Sequence, residues 1–130
     1  MRKQSGFTVI ELLAAIVALA VIGIVFWTQF NNVQVAARDD KRRTAINAMY
    51  YDLEDVFYAK NHYYPKTIDD KNLTAMDKAL LTDPQGVKIG EADSDYRYEP
   101  TDCNGDQCKG YTLRATMENE ADFVKTSRNN

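Results

Sequence analysis

From Leu12 to Trp27 sixteen consecutive residues are apolar, and no charge falls between Glu11 and Arg38. A run of that length cannot sit on the surface of a small soluble domain. Phe7 to Trp27 makes about 31 Å of helix at 1.5 Å per residue, which matches a hydrocarbon core of about 30 Å. The chain has 130 residues, room for one domain. Beyond Asn31 the chain is polar and acidic, so the sequence reads as a membrane anchor followed by a head of about 100 residues, enough to bury its own core. Overall, 45% of residues are hydrophobic and 27% charged, against a disordered tail, a collagen-like fibre or a multi-span membrane protein. The net charge of −3 argues against a protein that holds nucleic acid by charge, and no nucleic-acid site is evident. One His and two Cys are too few for a zinc site of those residues.

Met1-Arg2-Lys3-Gln4-Ser5-Gly6 places a short basic segment before the apolar run, a targeting pattern. A cleaved secretory signal would have a shorter apolar core and a small-residue site close behind it. Here the nearest such site, Val35-Ala36-Ala37, lies well past the run. An uncleaved anchor fits better but leaves Glu11 unexplained. An acid deep in a bilayer costs roughly 2.5–3.5 kcal/mol. Two readings account for it: Glu11 snorkels to the nearby surface, about 6 Å along the axis from Phe7, or a positive group meets it in the membrane.

Gly6-Phe7-Thr8-Val9-Ile10-Glu11-Leu12-Leu13 resembles the cleavage and methylation motif of type IV pilins and type II secretion pseudopilins. The resemblance implies a prepilin peptidase cut after Gly6 on the cytoplasmic side, N-methylation of Phe7, and a filament in which Glu11 neutralises the N-terminal amine of a neighbouring subunit. It implies an α+β, pilin-like fold: a long N-terminal helix, its first half transmembrane, with a small antiparallel sheet packed on its second half. The expected divisions are a leader over 1–6, a transmembrane half-helix over 7–30 and a head over 31–130. Cleavage would move the net side-chain charge from −3 to −5 by removing Arg2 and Lys3. The positive-inside rule counts against a cytoplasmic leader. Arg2 and Lys3 face Arg38, Lys41, Arg42 and Arg43 on the other flank.

Residues 31–60 hold no Pro and no Gly, and Ile46, Met49, Tyr50, Leu53, Val56 and Phe57 recur at helical spacing. One helix is expected from Phe7 to about Lys60, about 80 Å long. Arg38 to Arg43 reads as a solvated face, or as inter-subunit salt bridges or lipid-head contacts. The family's frequent helix-breaking Pro is missing before Pro65, which leaves Gly23 as the weak point of the anchor. Asn61-His62-Tyr63-Tyr64-Pro65 ends the helix, with His62 in an exposed turn. Short helical turns are expected over 67–81, with Thr67 or Thr74 as caps, then a turn at Asp83-Pro84-Gln85-Gly86. Tyr96 and Tyr98 flank Arg97 in one strand. Tyr111, Leu113, Ala115 and Met117 alternate with polar residues in a second, and Ala121 to Thr126 form a third, with Phe123 inward. Ser127 to Asn130 read as a frayed end.

Cys103 and Cys108 enclose Asn104-Gly105-Asp106-Gln107. An even count, a short loop and an export leader point to a disulfide, with two free thiols as the alternative. Asp69 to Asp106 carries ten acids and four bases. Glu91, Asp93 and Asp95, and again Asp102, Asn104 and Asp106, alternate as calcium ligands do, and the resemblance to major pseudopilins adds calcium as a possible cofactor. Neither loop has the Gly and Glu of an EF-hand, and a solvated acidic loop is the competing reading. No P-loop, dinucleotide fingerprint or G-x-S-x-G is present, so no enzyme is expected.

The resulting expectation is a structural filament subunit. Its partners would be further copies, other pilins, a prepilin peptidase, an assembly platform and lipid. It would wait in the cytoplasmic membrane, then join an extracellular pilus or a cell-envelope pseudopilus. Pilus subunit and pseudopilin of a secretion or DNA-uptake system both fit. A reading of another class is a monomeric tethered domain that binds calcium or another ligand.

Overall fold

The computed structural model describes residues 6–129. The protein is α+β, with a long apolar N-terminal helix followed by a four-stranded antiparallel sheet. Helix α1 spans Val9–Tyr51 and continues as a π-helical segment, Asp52–Tyr58, and a last turn, α2, Ala59–Asn61. The strands are β1 (Tyr64–Pro65), β2 (Tyr96–Asn104), β3 (Gln107–Ala115) and β4 (Phe123–Thr126). β3 is the spine, with β2 on one side and both β1 and β4 on the other.

The chain divides into two compact units, residues 1–35 and 36–130. In the first, the apolar side chains of α1 are exposed, Phe26 by 74% and Trp27 by 72%. Such a surface needs lipid or other helices around it. In the second, Ala45, Ile46, Met49 and Leu53 form the helix's buried stripe. Against them pack Tyr64, Leu73, Leu81, Tyr96, Tyr111, Leu113 and Ala115. Burial alternates at Tyr111, Leu113 and Ala115, with half-buried Thr112 and Arg114 between them, as period two requires.

The expected unbroken α-helix is corrected in its last turns. An α-helical continuation would carry the stripe from Leu53 to Val56 and Phe57. Instead Asp52, Leu53 and Glu54 are buried in succession, and Val56 is 38% exposed. The wider π turn moves the phase by about one residue. It brings Tyr58 to the core side, where its ring stacks on Tyr64 at 4.8 Å between centroids. The helix stops at His62, which is left-handed at φ 61° and donates its N–H to the Tyr58 carbonyl at 2.8 Å. His62 is exposed, as expected of a turn residue.

Three further expectations change. The sheet has a fourth strand, β1, only two residues long and ending in Pro65, too short for alternation to reveal. Residues 67–77 form turns rather than helix. The one helical turn is 3-10, Lys78–Leu81, capped by Asp77, whose carboxylate accepts from the Ala79 N–H at 3.0 Å. Of the expected frayed end, Ser127 to Asn129 are bound, and Asn130 lies outside the described residues. Ser127 is buried, its N–H bonds the Tyr111 carbonyl at 3.0 Å, and the Arg128 N–H reaches Glu54 at 3.1 Å. The turn at Asp83–Gly86 is present, with Gly86 at φ 91° and its N–H on the Asp83 carbonyl.

Candidate functional site

Glu11 lies in the first turn of α1, at a start built by its own neighbours. The Thr8 N–H and hydroxyl both donate to Glu11 Oε2 at 3.2 Å, and the Glu11 N–H donates to Thr8 Oγ1 at 3.4 Å. This is a capping box, the Ser/Thr-x-x-Glu arrangement that satisfies free N–H groups at a helix start. Thr8-Val9-Ile10-Glu11 shows it in sequence, though the apolar surroundings of Glu11 draw attention to its charge instead. Within the chain, then, Glu11 is held by neutral donors and remains exposed. Gly6 and Phe7 precede the helix and are exposed, and a Cβ on Gly6 would meet nothing within 4 Å. Met1 to Ser5 of the expected leader lie outside the described residues.

In the head, Arg38, Asp39, Arg42 and Arg43 of the run Arg38 to Arg43 are paired within the chain, whereas Asp40 and Lys41 stay exposed. Arg42 is buried, 1% exposed. Its guanidinium donates to Asp39 at 2.9 Å, Asp95 at 2.7 Å and Glu118 at 2.8 Å. Arg38 grips Glu118 with two bonds, at 2.7 and 2.6 Å, and Arg43 pairs with Glu120. Asp39 also accepts the Glu118 N–H at 3.0 Å. The Arg38 bonds, then those of Arg42, lower the Glu118 carboxyl to about 2. Burial raises Asp83, but the N–H groups of Asp95, Val87 and Gln85 outweigh it and hold this carboxyl below its ordinary range. The signal for Arg42 was its spacing: it falls four residues before Ile46, on the stripe that carries Ala45 and Met49.

A second cluster gathers around Glu54. Glu54, buried in the π segment, accepts from Tyr64 at 2.9 Å, Tyr111 at 2.8 Å and the Arg128 N–H at 3.1 Å. Burial, the largest cause, raises the Tyr64 hydroxyl to about 12 and pushes Tyr111 higher still. Both tyrosines therefore serve as donors.

Cys103 and Cys108 form a disulfide, directly opposite each other on β2 and β3. Asn104 and Gln107 close the hairpin around Gly105, at φ 64°, and Asp106. The acidic loops place their residues differently from one another. Glu91 and Asp93 are exposed, whereas the Asp95 carboxylate is bound to Arg42. Asp102 is left-handed at φ 51°, and Asn104 and Asp106 stand exposed on the hairpin. Among the described residues, no group of three or more His, Cys, Asp or Glu is placed to hold a metal ion.

The site and fold together define an α+β protein whose N-terminal helix is long and apolar enough to cross a membrane. Residues 1–27 match the family described as the prokaryotic N-terminal methylation motif, the signature of type IV pilins and pseudopilins. No curated protein and no solved structure matches the chain. The motif and the apolar helix fit membrane anchoring, and the motif supports a pilin-like or pseudopilin protein, a structural class rather than an enzymatic one.

Proposed function

We propose that the chain is a structural subunit of a type IV pilus-like filament, cut after Gly6 by a prepilin peptidase and N-methylated on Phe7. The observation that carries this reading is the methylation motif over residues 1–27, running directly into an apolar helix with exposed side chains. Gly6 adds support. It has open space around it and no left-handed backbone, so the fold does not require glycine there. Recognition by a peptidase does.

In this reading residues 1–6 are the leader, 7–30 the anchor and 31–130 the head. The chain waits in the cytoplasmic membrane, engages an assembly platform and joins copies of itself and other pilins. Its anchors bury one another's exposed apolar surface. A head-to-tail contact that does not close into a ring gives an open helix. The Cys103–Cys108 bond favours a pilus over a pseudopilus, because it braces a head exposed outside the cell. A secretion or DNA-uptake pseudopilin is the second reading, carried by the same motif.

Intact mass of the membrane-extracted protein tests the proposal. Loss of residues 1–6 with one added methyl is expected. A mature chain that begins at Met1 or at Arg38 overturns it. A tethered calcium-binding monomer, the reading of another class, would instead show no polymer and a higher melting temperature in millimolar calcium.

A further inference from the structure

A cleft of about 310 Å³ opens beside the π-helical segment, between it and the turn at residues 75–77. Asp52, Asp55 and Asp77 contribute its acids, and Tyr51, Val56 and Met76 its apolar walls. Asp52 is 3% exposed. Its Oδ2 accepts the N–H groups of Ala75 at 2.8 Å and Met76 at 3.1 Å, whereas its Oδ1 is buried without a hydrogen-bond partner. A buried carboxylate oxygen left unpaired is costly, and π turns often mark functional positions. Asp55 accepts from Arg128 at 3.1 Å and Asp77 from the Ala79 N–H at 3.0 Å.

Among the described residues, no three such acids are placed to hold a metal ion together. Apolar walls leading to an acidic floor suit an alkyl stem that ends in a cation. We propose that this cleft receives the ammonium group of a lysine from a second copy of the chain. Charge supply within the molecule favours that occupant. Arg38, Arg42, Arg43, Arg114 and Arg128 all have carboxylates within 4 Å in their own chain. Among the described lysines, only Lys88 has one, at 3.7 Å from Asp70. Lys60, Lys66, Lys71 and Lys109 are exposed. The entering side chain displaces Met76, an unbranched and adaptable wall, and reaches the Asp52 carboxylate. Cleft and lysine are different residues, which allows the head-to-tail contact that a filament repeats from copy to copy. The inference rests on the filament reading and names one of its contacts.

The test is zero-length carbodiimide crosslinking of sheared filaments from cells shifted from ordinary to heavy lysine. Peptide pairs with one light and one heavy member, joining Asp52, Asp55 or Asp77 to a lysine, are expected. Asp52→Asn, which keeps an oxygen for the two N–H groups, should lower filament yield about tenfold, the worth of one charge-assisted bond. Asp77→Asn tests the exposed rim without touching the core. Filaments that yield no mixed light–heavy pair at these acids, or full yield from both variants, overturn the proposal and leave the filament reading standing. Failure of the parent chain to form filaments overturns both.

Discussion

At the scale of single residues, two charges repay comparison. Glu11 has neutral donors in its own chain, and the capping box separates two roles that an alanine substitution would confuse. Glu11→Gln keeps a side chain that can complete the box but removes the charge. If Glu11 pairs with a neighbouring amine, Glu11→Gln and Glu11→Ala should both leave the chain inserted and cleaved, yet strongly reduce sheared filaments. Normal filaments from Glu11→Gln beside a defect in Glu11→Ala would reduce Glu11 to a cap. Arg42 is the opposite case, a charge consumed inside the head. Arg42→Ala removes the arginine shared by Asp39 and Asp95 and leaves Glu118 with Arg38 alone, and breaking a buried pair costs about 3–5 kcal/mol. A large drop in the melting temperature of the detergent-solubilised chain is expected, and an unchanged one would refute the role. Acid should act on the same group. Glu118 has a folded-state value near 2 against an ordinary 4.5. Its contribution is therefore full above about pH 4.5 and lost as the pH falls toward 2, with Asp83 acting in the same direction. Melting curves across that window, with Glu118→Gln as the comparison, should show the parent chain losing its advantage.

At the scale of elements, what was legible in sequence tracked the strength of its period. The anchor, the stripe from Ile46 to Leu53 and the alternation of Tyr111, Leu113 and Ala115 repeat often enough to fix both type and face. The π turn did not, because one extra residue in a helix leaves no period of its own. The buried positions of Asp52 and Glu54 are set by N–H and O–H donors that lie 10 to 74 residues away in sequence. Acid pairs recruited over such distances are invisible to local pattern, and so was the fate of Asp95, whose spacing resembled a cation loop while its carboxylate went to Arg42. The hairpin disulfide was readable, since its short loop brings the two residues opposite each other. Closing a loop of six residues stabilises by roughly 2 kcal/mol in the chain-entropy model. Reduction should lower the melting temperature modestly without unfolding the head. Collapse on reduction would mean that the bond organises more than its hairpin.

At the scale of the molecule, the head's last residues return to the helix that begins the chain's fold. Arg128 donates through its backbone to Glu54 and through its guanidinium to Tyr50 and Asp55, and Asn129 reaches the Tyr64 hydroxyl. Deletion of residues 127–130 should uncover Glu54 and lower the head's melting temperature, whereas an end without a structural role would be removed without effect. The strap has a practical consequence. Trypsin must take an arginine side chain into its pocket and draw the flanking backbone out straight, and at Arg128 both the guanidinium and the backbone N–H are already engaged by the core. Cleavage after Arg128 should therefore be slow for as long as the head stays folded, and its rate should follow how often this strap opens.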